Sequence, residues 1–138
     1  MKRVLCIICL TLLLAGNVSG ADGSGLEVNV LVKSGLSWDG NVLPQYTNEK
    51  PEITILRIKI PPGAALPQHK HGVINAGVLL SGELTVVTEN GSILQLKAGE
   101  ALVEVVNTWH YGKNAGTTPA EISVFYAGAK DMPVTVNK

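Results

Sequence analysis

His69, His71 and His110 are the three histidines of a chain of 138 residues, and their types and spacing suit a metal site. His69 and His71 close the run Gly63-Ala-Ala-Leu-Pro-Gln-His69-Lys-His71, and His110 follows in Asn107-Thr-Trp-His110. Strand side chains alternate faces, so an H-x-H pair on a strand points one way. A third imidazole from a neighbouring strand completes a facial nitrogen triad, a donor set for one divalent transition metal such as Fe, Zn, Cu, Ni or Mn. Three neutral nitrogens leave positions open for water or substrate. The residue types do not separate these metals.

The rest of the composition narrows the ligand chemistry. Both cysteines, Cys6 and Cys9, lie in the first twenty residues, which read as a cleavable export signal (1–20). Lys2 and Arg3 form its basic start, Val4 to Ala15 is apolar, and Val18-Ser19-Gly20 offers small residues before Ala21. The apolar run is shorter than the roughly 20 residues that cross a bilayer. Asn17, and not a cysteine, follows Leu14-Ala15-Gly16, which argues against a lipid anchor. The expected mature chain, 21–138, is then a single exported domain, periplasmic or secreted, without a membrane anchor and without a thiol. Its metal is held by histidine, carboxylate, amide or water. Lys+Arg and Asp+Glu balance at 11 each, and loss of Lys2 and Arg3 leaves a slight acidic excess. That balance gives no reason to expect nucleic acid or an anionic membrane as partner.

Elements that position the histidines read as short β-branched runs between Gly, Pro and Asn, and no segment after Ala21 reads as a helix. Strands are expected at Leu26–Lys33, where Val28, Val30 and Val32 alternate with polar residues, and at Ile53–Ile60. Further strands are expected at Ile74–Leu80, Leu84–Thr88, Ser92–Leu96, Ala101–Val106 and Glu121–Tyr126, with a hairpin turn at Asn90-Gly91. Residues after Tyr126 read as a polar tail. This is an all-β chain, a small antiparallel β-barrel or jelly roll. Trp38-Asp39-Gly40 reads as a turn, and Gly63, Gly82 and Gly99 as turn glycines. Trp109 and Tyr111 flank His110 and read as packing or as lining of the barrel mouth.

The spacing Gly63, His69, His71, Asn75, Gly82, followed by Gly99, Val105-Val106-Asn107, His110 and Asn114, resembles the two motifs of the cupin family. The resemblance covers residues 63–114. It implies a conical antiparallel barrel that holds a divalent metal on His69, His71 and His110, with a small-molecule ligand or substrate, and pairing as a homodimer through N-terminal strands. Two departures matter. Asn75 stands where the family has glutamate, which implies a weaker, neutral ligand and a more positive site that favours an anionic substrate. Val105 and Asn107 replace the proline and glycine of the second motif, which implies a different path into His110. Three-histidine cupins without the glutamate include thiol and diketone dioxygenases.

Glu104 is the one charge in the otherwise apolar run Ala101-Leu-Val-Glu104-Val-Val. Two readings stand beside each other: a group that hydrogen-bonds a metal-bound water or acts as general base, and a glutamate on an outward face. For the whole chain the resemblance implies a dioxygenase-like, metal-dependent oxidoreductase. The alternatives are a non-catalytic metal- or ligand-binding module and a scaffold cupin with no metal.

Overall fold

The computed structural model describes residues 25–138, so the expected export signal lies outside the described residues. The chain divides into two units, Met1–Val30 and Leu31–Lys138, and the strands found among the described residues lie in the second. They are β1 (Pro51–Ile60), β2 (His69–Lys70), β3 (Ile74–Ser81), β4 (Glu83–Thr88), β5 (Ile93–Lys97), β6 (Ala101–Val103), β7 (His110–Lys113), β8 (Ala120–Ala129) and β9 (Val136–Asn137). Two antiparallel sheets result, ordered β1-β8-β3-β6 and β5-β4-β7-β2-β9. No helix occurs among the described residues. The all-β jelly-roll class read from the sequence is the class observed.

Period-two alternation builds the interior. In β1, Leu56, Ile58 and Ile60 turn inward while Ile53, Ile55, Arg57 and Lys59 are exposed. β8 pairs with β1 in unbroken register from Pro51↔Ala129 to Ile60↔Ala120, and sends Ile122, Val124 and Tyr126 inward. These side chains meet Leu79, Leu84, Val86, Leu96 and Leu102 in one core. The wall around the histidines is therefore apolar on both sheets.

Two strands not among those expected, β2 and β7, carry His69 and His110, and three expected elements differ. Leu26–Lys33 is not a strand: every residue from 25 to 34 is exposed and without strand assignment. Valine's strand preference reflects packing on a half-buried pleated surface, and this segment has no such burial. Ala101–Val106 ends as a strand at Val103, because the chain beyond bends into the Asn107 turn. The polar tail is not free of the barrel, since Val136–Asn137 forms β9 on β2, with His69↔Asn137 and Lys70↔Val136 opposed.

Gly82, in the turn from β3 to β4, has φ 73°. A Cβ there would lie 2.6 Å from the Pro119 carbonyl oxygen and 2.8 Å from Ala120 Cα, both backbone. The left-handed conformation alone costs a non-glycine residue about 1–3 kcal/mol, and backbone cannot swing aside as a side-chain tip does. Gly82→Ala is expected to lose at least about 2 kcal/mol of stability, read as a lower urea midpoint at unchanged slope.

Candidate metal centre

Two adjacent strands bring the histidines together. His69 on β2 is the direct antiparallel partner of His110 on β7, so both imidazoles leave the sheet side by side on its inner face. His71 follows two residues on, and its carbonyl accepts a hydrogen bond from the Asn107 amide at 2.7 Å. Ring centroids are 4.5–5.0 Å apart. One nitrogen from each ring lies within 4.8 Å of the other two, and all three residues are buried.

The path into His110 is set by Asn107, which takes φ 57°. Asparagine tolerates the left-handed region better than most residues, so it supplies the turn that the second motif normally takes from glycine. The replacement of proline and glycine therefore leaves His110 in register with His69. The motif asparagine, Asn114, is structural: fully buried, it donates to the Ile60 and Thr118 carbonyls at 2.9 and 2.8 Å and accepts from the Gly116 amide.

Backbone carbonyls fix the protonation of each ring. His69 Nδ1 lies 2.7 Å from the Pro67 oxygen, His71 Nδ1 2.7 Å from the Val134 oxygen, and His110 Nδ1 2.8 Å from the Thr108 oxygen. A carbonyl oxygen only accepts, so each Nδ1 carries the hydrogen and donates it. Each neutral ring then keeps its lone pair on Nε2. Such a second bond orients a metal-ligating histidine and fixes its tautomer. His110 Nε2 is buried with no hydrogen-bond partner among the described residues. An orphaned buried acceptor aimed at two other imidazoles fits a divalent cation in a way that packing alone does not explain.

Asn75 and Glu104 both reach this cavity. His69 lies in one sheet, with His71 just past the end of β2, and Asn75 lies in the other, because the chain crosses between sheets at 71–73. Shared parity along the sequence therefore does not place Asn75 beside them; sandwich closure does. Its Nδ2 donates to the Val73 carbonyl at 3.3 Å, and its Oδ1 is buried without a partner. Glu104 faces inward: it is 8% exposed, and its Oε2 is 3.7 Å from His110 Nε2. Its Oε1 accepts from the Trp38 indole at 2.7 Å and from the Val105 amide at 2.9 Å.

The cavity measures about 50 Å³ and is walled by Ile58, Leu84, Val86, Leu102, Val124 and Tyr126 beside the polar groups. That is room for roughly three or four water-sized groups. The Tyr126 ring lies edge-on to His71 at 5.3 Å. Burial raises the Tyr126 hydroxyl above its ordinary pKa, against the opposing hydrogen bond with Thr135. Trp109 does not line this cavity, and the Lys70 and Lys138 ammoniums sit over its ring at 4.9 and 5.6 Å.

Several contributors carry no local sequence signal. Trp38 lies 66 positions from Glu104, and Val134 lies 63 positions from His71. Trp38-Asp39-Gly40 is indeed a turn, with Gly40 at φ 90° and Asp39 accepting from the Ser37 hydroxyl. The indole's reach to Glu104 is the added finding. The Pro67 and Thr108 carbonyls, each two residues before their histidine, are a local pattern that the sequence does display.

Burial holds His71 down to about 4, with the neighbouring His110 and His69 rings lowering it further against the opposing pull of the Val134 carbonyl. His69 is lowered for the same first reason, burial. Above about pH 6.5 both states of the metal-free protein leave these rings neutral, and folding pays no penalty for them. Between about 6.5 and 4 the unfolded chain takes protons that the folded one refuses, so stability falls as pH falls. His71 alone accounts for about 3 kcal/mol across that window. Urea unfolding of metal-free protein between pH 7.5 and 4 checks this, and a flat profile would contradict it.

Comparison with known proteins places the arrangement. Residues 56–126 match a family model described as Cupin domain. No curated protein matches the chain. Among solved structures, an uncharacterized conserved protein with a double-stranded β-helix domain from Klebsiella pneumoniae is similar at TM-score 0.55. Its identity is 19%, over 67% of this chain and 88% of its own. A DMSP lyase from Ruegeria pomeroyi is similar at TM-score 0.55 and 19% identity, over 62% of this chain and 43% of its own. An oxalate decarboxylase from Lactobacillus farciminis is similar at 0.54 and 19%, over 62% and 26% respectively. This chain thus spans less than half the length of the lyase and the decarboxylase. At these identities the likeness is one of fold.

Proposed function

The chain belongs to the cupin domain family, and from that premise we propose that it is an exported protein holding one divalent transition metal on His69, His71 and His110. We further propose that it acts on a small organic molecule as a dioxygenase-like oxidoreductase. One observation carries the metal reading: three Nδ1–H groups are committed to backbone carbonyls, which turns three Nε2 lone pairs into one buried cavity. Neutral imidazoles suit late first-row divalent ions. When bound, such an ion supplies Lewis acidity, open coordination positions and, if redox-active, electrons.

The chain's own residues contribute the rest. Apolar walls lower the polarity around the histidines, which strengthens the polar interactions there. The small volume limits the substrate, or the part of it that enters, to a few heavy atoms. Glu104 lines the cavity and turns Oε2 toward His110. The Tyr126 ring packs edge-on against His71, and its hydroxyl pairs with Thr135.

Oxygen consumption tests the activity. The protein is loaded with Fe(II), Mn(II), Cu(II) or Ni(II) in turn and offered small thiols, diketones and carboxylates. Uptake with at least one pair, lost in His69→Ala, is the expected result. Uptake equal in wild type and His69→Ala would contradict the assignment.

Pairing of two copies belongs to the same reading. Ile53, Ile55 and Phe125 share the outer face of β1 and β8 at 63%, 58% and 47% exposure. Contiguous exposed apolar side chains favour association. Light scattering is expected to give twice the monomer mass, and a monomer at micromolar concentration would contradict it.

A further inference from the structure

We propose that Glu104 is a fourth ligand of the centre, a carboxylate supplied by the residue just past β6 and beside Asn75, and that Trp38 is the positioning residue that aims it. The inference rests on the metal reading above and deepens it. β3 and β6 pair with Ala76 opposite Val103, and the Glu104 amide donates to the Asn75 carbonyl at 3.0 Å. Position 104, one residue past β6, therefore lies opposite position 75, both buried and both lining the cavity. The neutral amide at one and the carboxylate at the other put a single negative group on that rung.

The two oxygens of Glu104 are treated differently. Oε1 is held twice, by the Trp38 indole at 2.7 Å and by the Val105 amide at 2.9 Å. Oε2 faces His110 Nε2 at 3.7 Å. That separation is too long for a hydrogen bond. It does suit two ligands of one ion, whose bonds of about 2.0–2.2 Å place the ligand atoms roughly 3–4 Å apart. Among the described residues no lysine or arginine lines the cavity, and a buried carboxylate beside apolar walls needs a positive partner. A divalent cation held where the three imidazole nitrogens gather, next to Oε2 on the His110 side, supplies it. Trp38 then acts as outer-shell partners do: it occupies one oxygen so that the other points at the ion. The carboxylate also removes much of the excess positive charge implied by Asn75, so the loaded centre favours anionic substrates less strongly than three histidines alone would.

The test uses the full-length protein and Co(II) as probe, reading affinity by chelator competition and coordination by visible absorption. Glu104→Gln is expected to weaken Co(II) by about 10–100-fold, with an altered spectrum and unchanged stoichiometry. Moving the carboxylate across the rung, in Asn75→Glu/Glu104→Gln, is expected to recover most of that loss. Trp38→Phe leaves the carboxylate in place and is expected to weaken binding by about 10-fold with a spectral shift, which lost packing alone would not produce. Glu104→Gln with wild-type affinity and spectrum would overturn the proposal while leaving the three-histidine centre standing. A wild type that binds no Co(II) would overturn both. Trp38→Phe keeps the proposal testable should Glu104→Gln fail to fold, since unchanged affinity and spectrum there would also count against it.

Discussion

His110→Ala is expected to lower divalent-metal affinity by at least about 100-fold, the largest functional effect of any single change in this chain. Changes to groups that merely orient a ligand cost 10–100-fold, and this one removes a ligand. His110 is also the residue whose loss the site can least repair. It is 2% exposed, its Nε2 has no hydrogen-bond partner among the described residues, and it stands between His69 and Glu104. The variant leaves the Thr108 carbonyl without its imidazole donor, a stability cost of about 1–3 kcal/mol. Circular dichroism therefore accompanies the chelator-competition titration, so that folded protein without affinity is separated from unfolded protein. A folded variant that retains affinity within threefold of wild type would remove His110 from the centre.

Stripping the metal is expected to lower the melting temperature by roughly 15 °C. An ion present at about a thousand times its dissociation constant stabilises the folded state by about 4 kcal/mol. For a domain of about 100 residues each kcal/mol moves the midpoint by about 4 °C. The sign follows from the geometry: three lone pairs gathered in one apolar cavity have no counterpart in the unfolded chain. The ion also competes with protons for Nε2, so its stabilising effect is expected to shrink as pH falls through the imidazole range, adding to the acid-side loss of stability set by His71. Scanning with and without chelator measures the shift, and His71→Ala should show none. A shift of the same size in His71→Ala would place the bound ion elsewhere.

Strand pattern and histidine spacing carried most of the fold and the triad into view. The alternation of Ile53–Ile60 and the Asn90-Gly91 turn are local facts, decided by side-chain period and backbone freedom. His69 and His71 share a face for the same reason. Leu26–Lys33 has the same alternation and is no strand, because alternation states a preference that only burial and pairing realise. His110 was legible through its spacing from the first pair, and Asn107 shows how a substituted turn keeps that spacing.

The outer parts of the site were not legible. Glu104 stood out as a charge in an apolar run, but its inward direction depends on how the chain leaves β6 for the Asn107 turn. Trp38 and Val134 reach the site across more than sixty positions of sequence, and only closure of two sheets brings them there. Long-range contacts of this kind leave no periodicity to read. The tail illustrates it: residues that look like polar trailing chain provide β9 and the carbonyl that fixes the His71 tautomer.

Elemental analysis of the protein, purified without a histidine tag and reconstituted under a panel of divalent metals, tests the central claim most directly. One equivalent of a transition metal per chain, lost in His71→Ala, is the predicted result. Wild-type protein that stays metal-free after reconstitution would contradict it and leave a cupin barrel whose three imidazoles serve another end.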